Sequence, residues 1–562
     1  MKRIRCKQER ARRTFWTNVR TFIRTAVITA VMITAAALSS VRAEAASLDG
    51  TFSDVPGDHW AFTDIQTLRE RNVTEGLGNN IFGLGRTLTR AEFVTFMAKL
   101  FSWDLESAAE EAGWYAPYVD AAAKQGAVTA GESQNFRPND PITREEMAIV
   151  LIRSMGYDAL AQQLNSLPPP FADVSENTGY IIMAKDIGVI AGMSADTFAP
   201  AATATREQAA AMLTRLSYKQ DRLKAADSMV RRFNGFYAIH SAGQSHLLPL
   251  MDSVSFGWSR LELNGAAVTL NMTSANNNEY ARPDGYEEVL SSIKAQNKKA
   301  LLMIPLLGDP ARLISEEPLR RAAVEQIGAA LGEYDGVVID FEGLRGAEAQ
   351  SNFTRFLSEL KASGAMQGKT LSVAVQPARQ PGQAYFDGYD FKGIGNTADQ
   401  VILMAHDYQP KSLTAEEMES GFNVTPLSPI HEVYYALQAI THSDTGVADK
   451  TKIRLQFSFD SAQWKSVDGR ITNQTPYRPD YEAIRSRVAQ GASERYSTKY
   501  ESPFITFFSG EDGSENIIWY ENQKSIEAKM KIAALFDVYD FSLWRIGLIP
   551  EEVLPLFHWP QN

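Results

Sequence analysis

The sequence predicts an all-α bundle of three repeats followed by an α/β domain, a (β/α)8 TIM barrel with a small α+β insertion. Three observations carry this expectation. One motif recurs three times between residues 51 and 218. From Arg231 onward, apolar strand-like runs alternate with amphipathic helices. At 562 residues, with 44% hydrophobic and 22% charged residues, the chain is globular in composition and too long for one core.

The first 25 residues hold nine Lys or Arg and one acid, and "AVITAVMITAAALSSV" and "VRAEAA" follow. A basic head, an apolar run and small residues form a secretory signal peptide, assigned to residues 1–45 with cleavage after Ala43 or Ala45. The run is shorter than the roughly 18–20 residues of a spanning helix. No retained membrane span is therefore expected, a retained anchor being the alternative. Arg12 and Arg13 loosely resemble a twin-arginine signal. Removal of residues 1–43 leaves a net charge near −20, which argues against nucleic acid as a partner. Cys6, the only cysteine, leaves with that segment, so neither disulfides nor thiol chemistry are expected.

The repeats occupy residues 47–102, 103–158 and 168–218, each read as helix, Gly-containing turn, loop and second helix. The second helix opens on a capping box, T-x-x-E or T-x-x-Q, at Thr89/Glu92, Thr143/Glu146 and Thr205/Gln208. Just inside each cap stands an arginine: Arg90, Arg144 and Arg206. A cation there opposes the helix dipole at about 0.3–1 kcal/mol when exposed. The recurrence points to an anionic partner, or to an ion pair with a neighbouring Asp. With "FSDV", "HWA", "LTRAEF", "ITREEM" and "ATREQ", this region resembles S-layer homology domains. The resemblance implies a bundle that holds exported bacterial proteins on anionic secondary cell-wall polysaccharide, with the three arginines, Trp60 and Trp114 lining its grooves. The third repeat has "TGYI" where Trp is expected, and the second lacks the F-x-D-V opening.

In residues 231–560 the expected strands are "FNGFYAIH", "SVSFGWSRLEL", "KALLMIPLL", "GVVIDFE", "TLSVAVQPA", "DQVILMAHDY", "KIRLQFSFD" and "DFSLWRIG". About 60 residues separate the last two and include strand-like "PFITFF" and "NIIWYE", hence the insertion at about 461–520. Barrels place chemistry at the C-terminal ends of strands, where Asp340 and Glu342 stand. Strand alternation puts both carboxylates on one face, and an apolar setting pushes their pKa values apart, as general-acid chemistry requires. The alternative is a structural pair bridged by a buried Arg or Lys.

Asp335, Gly336, Asp340 and Glu342 match the fourth-strand motif D-G-x-D-x-D-x-E of family-18 glycoside hydrolases, with Val338 in place of the first paired aspartate. "LMAHDY" resembles that family's M-x-Y-D, with Met404 and Asp407 matching and His406 replacing Tyr. "FSLWRIG" supplies Trp544, the family's floor under the scissile sugar. "GFYAI", "VSFGW" and the C-terminal stretch resemble the branch acting on cell-wall and spore-cortex glycans. The resemblance implies substrate-assisted retaining cleavage, in which the substrate's acetamido carbonyl attacks the anomeric carbon. Glu342 would serve as acid and then base, and Asp340 would orient the acetamido N–H. His406 or Tyr408, expected on one face by alternation, would replace the tyrosine donor. Tyr237, Trp258, Trp464 and Trp519 fit sugar stacking and core packing equally well.

The expected function is thus an exported, wall-anchored glycosidase acting on N-acetylglucosamine-containing glycan. A non-catalytic glycan-binding barrel and a structural surface-layer protein are the rival readings. No metal-ligand pattern is present, and no metal or other cofactor is expected.

Overall fold

The computed structural model describes residues 51–107, 113–383, 385–421 and 426–557. The signal-peptide segment lies outside the described residues. Two compact units emerge: residues up to Arg86 with Thr205–Ala211, and Thr87–Ala204 with Met212 onward.

The capping boxes at Thr89/Glu92 and Thr143/Glu146 are complete and open the helices Arg90–Phe101 and Arg144–Ser154. At Thr205 only the Gln208 amide returns to the cap N–H. Loop backbones just before the three caps form a closed ring. Leu88 N–H donates to the Ala204 carbonyl, Ala204 to Ile142 and Ile142 to Leu88, at 2.9–3.0 Å.

The cap arginines depart from the expected open anion grooves. Arg144 is buried, donating from Nε to the Phe198 carbonyl (2.8 Å) and from Nη2 to the Ala191 carbonyl (2.9 Å), above the Phe198 ring. Arg206, also buried, donates to the Phe82 carbonyl at 2.9 Å and covers that ring. The F-x-D-V aspartates hold the loops that supply these carbonyls. Asp54 accepts the N–H groups of Phe82, Gly83 and Leu84, and Asp173 those of Phe198 and Ala199. Arg90 pairs with Glu146 of the second repeat's capping box. Intramolecular partners therefore use these cations, chiefly carbonyls where an Asp was expected. Trp60 and Trp114 are 61% and 59% exposed, whereas Tyr180 of the third repeat is buried.

The second part contains β1 (Phe233–Tyr237), β2 (Ser253–Phe256), β3 (Arg260–Asn264), β4 (Ala267–Asn271), β5 (Lys299–Leu307), β6 (Gly336–Asp340), β7 (Thr370–Val375), β8 (Gln400–Leu403) and β9 (Ile453–Ser458). Then follow β10 (Ala462–Val467), β11 (Arg470–Ile471), β12 (Ser493–Ser497), β13 (Ser502–Ser509), β14 (Ser514–Trp519) and β15 (Asp540–Trp544). Strands β1, β2, β5, β6, β7, β8, β9 and β15 close a parallel barrel, with β2 pairing β5 and β15 pairing β1. Amphipathic helices cover it; Gly346–Ala362, for example, buries Phe353, Phe356, Leu357 and Leu360.

The run Ser253–Leu263, expected as one strand, breaks in two. At Gly257 a Cβ would lie 2.8 Å from the Ala238 Cβ, so the bare backbone passes the end of β1 there. The chain then bends, and β3 pairs parallel with the end of β5 and antiparallel with β4. Strands β10–β14 form a separate antiparallel sheet. Helix Tyr481–Ala489 covers one face of it through Ile484, Ile505 and Ile518. Trp464 and Trp519 are buried in other clusters, against Leu413 and Leu427 respectively. Among the described residues no helix is long and apolar enough to cross a membrane.

The arginine placement yields a stability prediction. Arg144→Ala leaves the Phe198 and Ala191 carbonyls without their donor and should cost about 1–3 kcal/mol. Thermal unfolding of the full chain should register this as a lowered first transition.

Candidate active site

Inside the barrel, Phe236, Leu301, Met303, Val338, Ala374 and Ile402 form a fully buried apolar layer. Strand alternation sets Asp340 above Val338, one step closer to the C-terminal mouth, and Gln376 and Met404 directly follow the ends of β7 and β8. Met404 and Trp544 pack directly on the layer, with Trp544 edge-on to Phe236 at 5.3 Å.

The two halves of the D-G-x-x-x-D-x-E stretch do different work. Asp335 braces the start of β6 by accepting the Ala300 N–H at 2.9 Å. At Gly336 a Cβ would lie 2.1 Å from the Thr370 carbonyl oxygen, so only glycine fits between β6 and β7. Asp340 and Glu342 stand at the other end.

The carboxylates do not share one apolar setting. Asp340 is 8% exposed and its Oδ1 makes no protein hydrogen bond. Glu342 lies beyond the strand end and is exposed. Burial, reinforced by the Glu342 charge and opposed by His406, pushes Asp340 up to about 8. The buried aspartate therefore keeps its proton at neutral pH. No buried Arg or Lys bridges the pair among the described contacts.

Two residues absent from the sequence-based assignment support Glu342. Gln376 Nε2 donates to Glu342 Oε2 at 3.3 Å, while Gln376 Oε1 accepts the Gly343 N–H at 2.8 Å. The Tyr389 hydroxyl donates to the Phe341 carbonyl (2.8 Å) and lies 3.2 Å from Gln376 Oε1, sharing its one hydrogen between the two. Gln376 follows the last apolar residue of β7, a position that marks a barrel mouth; Tyr389 lies in a loop and carries no such signal.

The end of β8 departs from strand alternation. The strand stops at Leu403, and Asp407 adopts φ +59°, so His406 and Tyr408 take separate directions. Tyr408 is buried, its hydroxyl turned to the Glu432 carbonyl (3.4 Å) and its ring under the Arg379 guanidinium (4.1 Å). His406 places Nε2 2.7 Å from Gln456 Oε1 and Nδ1 3.4 Å from Asp407 Oδ2. Burial works against charge on both, but their mutual contact wins, raising His406 and lowering Asp407. Both imidazole nitrogens and the Tyr408 hydroxyl thus face protein groups, in contrast to the expected substrate donors.

Tyr280, in the loop after β4, is a further group missed in the sequence. Burial first, then the charges of Asp340, Glu279 and Glu342, raise its phenol. Buried Asn278 pins that loop, accepting the Tyr280 N–H at 2.9 Å and donating to the Asn271 carbonyl. Tyr237 and Trp258 are buried, packed edge to face with each other. No group of three or more His, Cys, Asp or Glu suited to a metal occurs among the described residues.

A closed parallel barrel with a carboxylate pair at the end of its fourth strand defines a class of (β/α)8 proteins with acid–base machinery at the mouth. The chain belongs to the glycosyl hydrolases family 18, whose family model matches residues 236–547. The S-layer homology domain matches three times, at 51–94, 109–148 and 170–210. Exoglucanase XynX of Acetivibrio thermocellus is 33% identical over 31% of this chain and 17% of its own length. The putative sporulation-specific glycosylase YdhD of Bacillus subtilis is 26% identical over 38% of this chain and 47% of its own. The chain thus spans half or less of the length of these curated relatives. The crystal structure of the Bacillus cereus spore cortex-lytic enzyme SleL aligns over 58% of this chain and 73% of that one, with 18% identity and a TM-score of 0.47.

The buried acid has a pH signature. An aspartate that binds its proton more tightly when folded makes stability fall as pH rises, between about 4 and about 8. Asp340→Asn should flatten that dependence, because the amide has no proton to lose as pH rises from 5 to 8. Melting curves at pH 5 and pH 8 check both.

Proposed function

We propose that this chain is an exported, wall-anchored glycosidase that hydrolyses β-1,4 linkages beside N-acetylglucosamine in peptidoglycan or a chitin-like glycan. The observation carrying this reading is the split environment of the acid pair, Asp340 buried, with its proton affinity raised by that burial, below an exposed Glu342. The supporting context is membership of family 18 together with three S-layer homology matches.

The pair enters catalysis holding one proton. A sugar seated over Glu342 strips water from that carboxylate, raises its proton affinity and draws the proton outward. Glu342 then protonates the glycosidic oxygen as the C1–O bond breaks, while the substrate's acetamido oxygen bonds to C1 and forms an oxazolinium. Asp340, now ionised, accepts the acetamido N–H and offsets the developing positive charge. Water returns to C1 with its proton taken by Glu342, so configuration is retained. Gln376 orients Glu342, Trp544 lies under the sugar on the apolar layer, and Tyr280 supplies the hydroxyl to the acetamido oxygen.

The occupied donors at the end of β8 favour a second reading, a barrel that holds glycan without cutting it. Hydrolysis separates the two. Glu342→Gln should lower turnover on labelled peptidoglycan or chito-oligosaccharide by about 10²–10⁴-fold with folding preserved. De-acetylated glycan should not be cut, since it lacks the nucleophile. Binding by wild type with no cleavage of any acetylated glycan would establish the second reading.

For the anchor, the exposed Trp60 and Trp114 carry contact with cell-wall polysaccharide, while Arg144 and Arg206 hold loop carbonyls inside the repeats. Trp60→Ala with Trp114→Ala should reduce sedimentation with isolated walls about tenfold or more without shifting the melting transition. Full wall binding by that double variant would remove the aromatic role.

A further inference from the structure

A file of polar side chains runs through the barrel beside the apolar layer, and its donors and acceptors are fixed from one end. Arg454 donates from both Nη atoms to Asp252, at 3.0 and 3.1 Å, so this carboxylate is an acceptor. The Ser253 hydroxyl donates to it at 3.3 Å and must therefore accept from Asn234 Nδ2, 3.0 Å away. That sets the Asn234 amide, whose Oδ1 accepts from the Ser542 hydroxyl at 3.3 Å. With its proton used there, Ser542 accepts from Gln456 Nε2 at 3.3 Å. Gln456 Oε1 is left facing His406 Nε2 at 2.7 Å, and a carbonyl oxygen only accepts, so Nε2 carries hydrogen.

On the ring's other side, Asp407 Oδ2 lies 3.4 Å from Nδ1. A neutral ring with hydrogen on Nε2 would turn its bare Nδ1 lone pair toward that carboxylate, whereas a second hydrogen on Nδ1 makes the contact attractive. The His406 side chain is 7% exposed, so water does not compete. The charged neighbours Asp407, from its own segment, and Asp460, after β9, act in the same sense, and Asp340 of β6 joins them only when it ionises. Arg478 and Arg545 are shared with Asp460, and Arg478 pairs with it at 2.7 Å.

We propose that this file, ending at Gln456, holds His406 as a doubly protonated imidazolium beside Asp340, and that Gln456 is a positioning residue for the acid pair. The fixed cation eases ionisation of Asp340 when the proton moves to Glu342, work that an uncharged tyrosine at this place would not do. The protonation state is independent of the proposed function; its catalytic consequence rests on that function.

Nitrogen NMR of the full chain labelled at histidine, with His406 assigned through His406→Asn, tests it. At pH 7.5 an unperturbed imidazole of pKa about 6.5 is mostly neutral. His406 should instead show two protonated nitrogens of similar shift. Gln456→Leu and Asp407→Asn should each lower its titration midpoint by a unit or more, and Gln456→Glu should preserve the cation. In Gln456→Leu, kcat should fall about tenfold or more with KM nearly unchanged. A neutral His406 at pH 7.5 in the wild type, or midpoints unmoved in the variants that fold, would overturn the proposal. An imidazolium in a chain that cleaves no glycan would overturn the proposed function and leave this assignment standing.

Discussion

Asp340 is carried into the barrel on an apolar plug headed by Val338, so water cannot reach the carboxylate from below. The plug raises the proton affinity of the buried acid, which the Glu342 charge raises further and His406 lowers. A second aspartate at Val338 would bring a further charge into that layer and a group able to solvate Asp340. With valine there, the neighbours at the mouth must do that work. His406 and Tyr280 are the groups whose charge or phenol is coupled to Asp340, while Gln376 acts on Glu342.

The broad architecture was legible in the sequence because it rests on repetition and period. Buried parallel strands write continuous apolar runs, and eight of them alternating with helices leave few folds to choose from. The repeats announced themselves through their capping boxes, a local signal with a local cause. What failed was reasoning that extended a local rule past the end of its element. Alternation was carried through "LMAHDY", but the strand stops at Leu403 and the left-handed turn at Asp407 sends His406 and Tyr408 apart. The same error joined β2 to β3 across Gly257.

The groups holding the site in place were the least legible. Gln456 and Ser542 look like interruptions in strands, and only the closed barrel shows that they face one another across β9 and β15. Tyr280 belongs to a loop ordered by one buried asparagine. For the cap arginines, the sequence correctly marked three equivalent positions without saying whether ligand or loop would use them. For Arg144 and Arg206 the F-x-D-V aspartate decides this, since it fixes the loop whose carbonyl receives the arginine, whereas Arg90 goes to Glu146.

The ring of loop backbones in the repeats bears on the order in which the chain is assembled. Arg206 reaches the Phe82 carbonyl across 124 residues of sequence, and Ala204 closes the ring begun at Leu88. A chain emerging N-terminus first exposes its first repeat well before the segment that completes it. Until the third repeat arrives, Phe82 and its neighbours lack their covering side chain, and the first repeat stays an unfinished template. Completion of the first repeat is therefore a late event, timed by the emergence of Thr205–Ala211, and a chain truncated before that point lacks the segment needed to finish it.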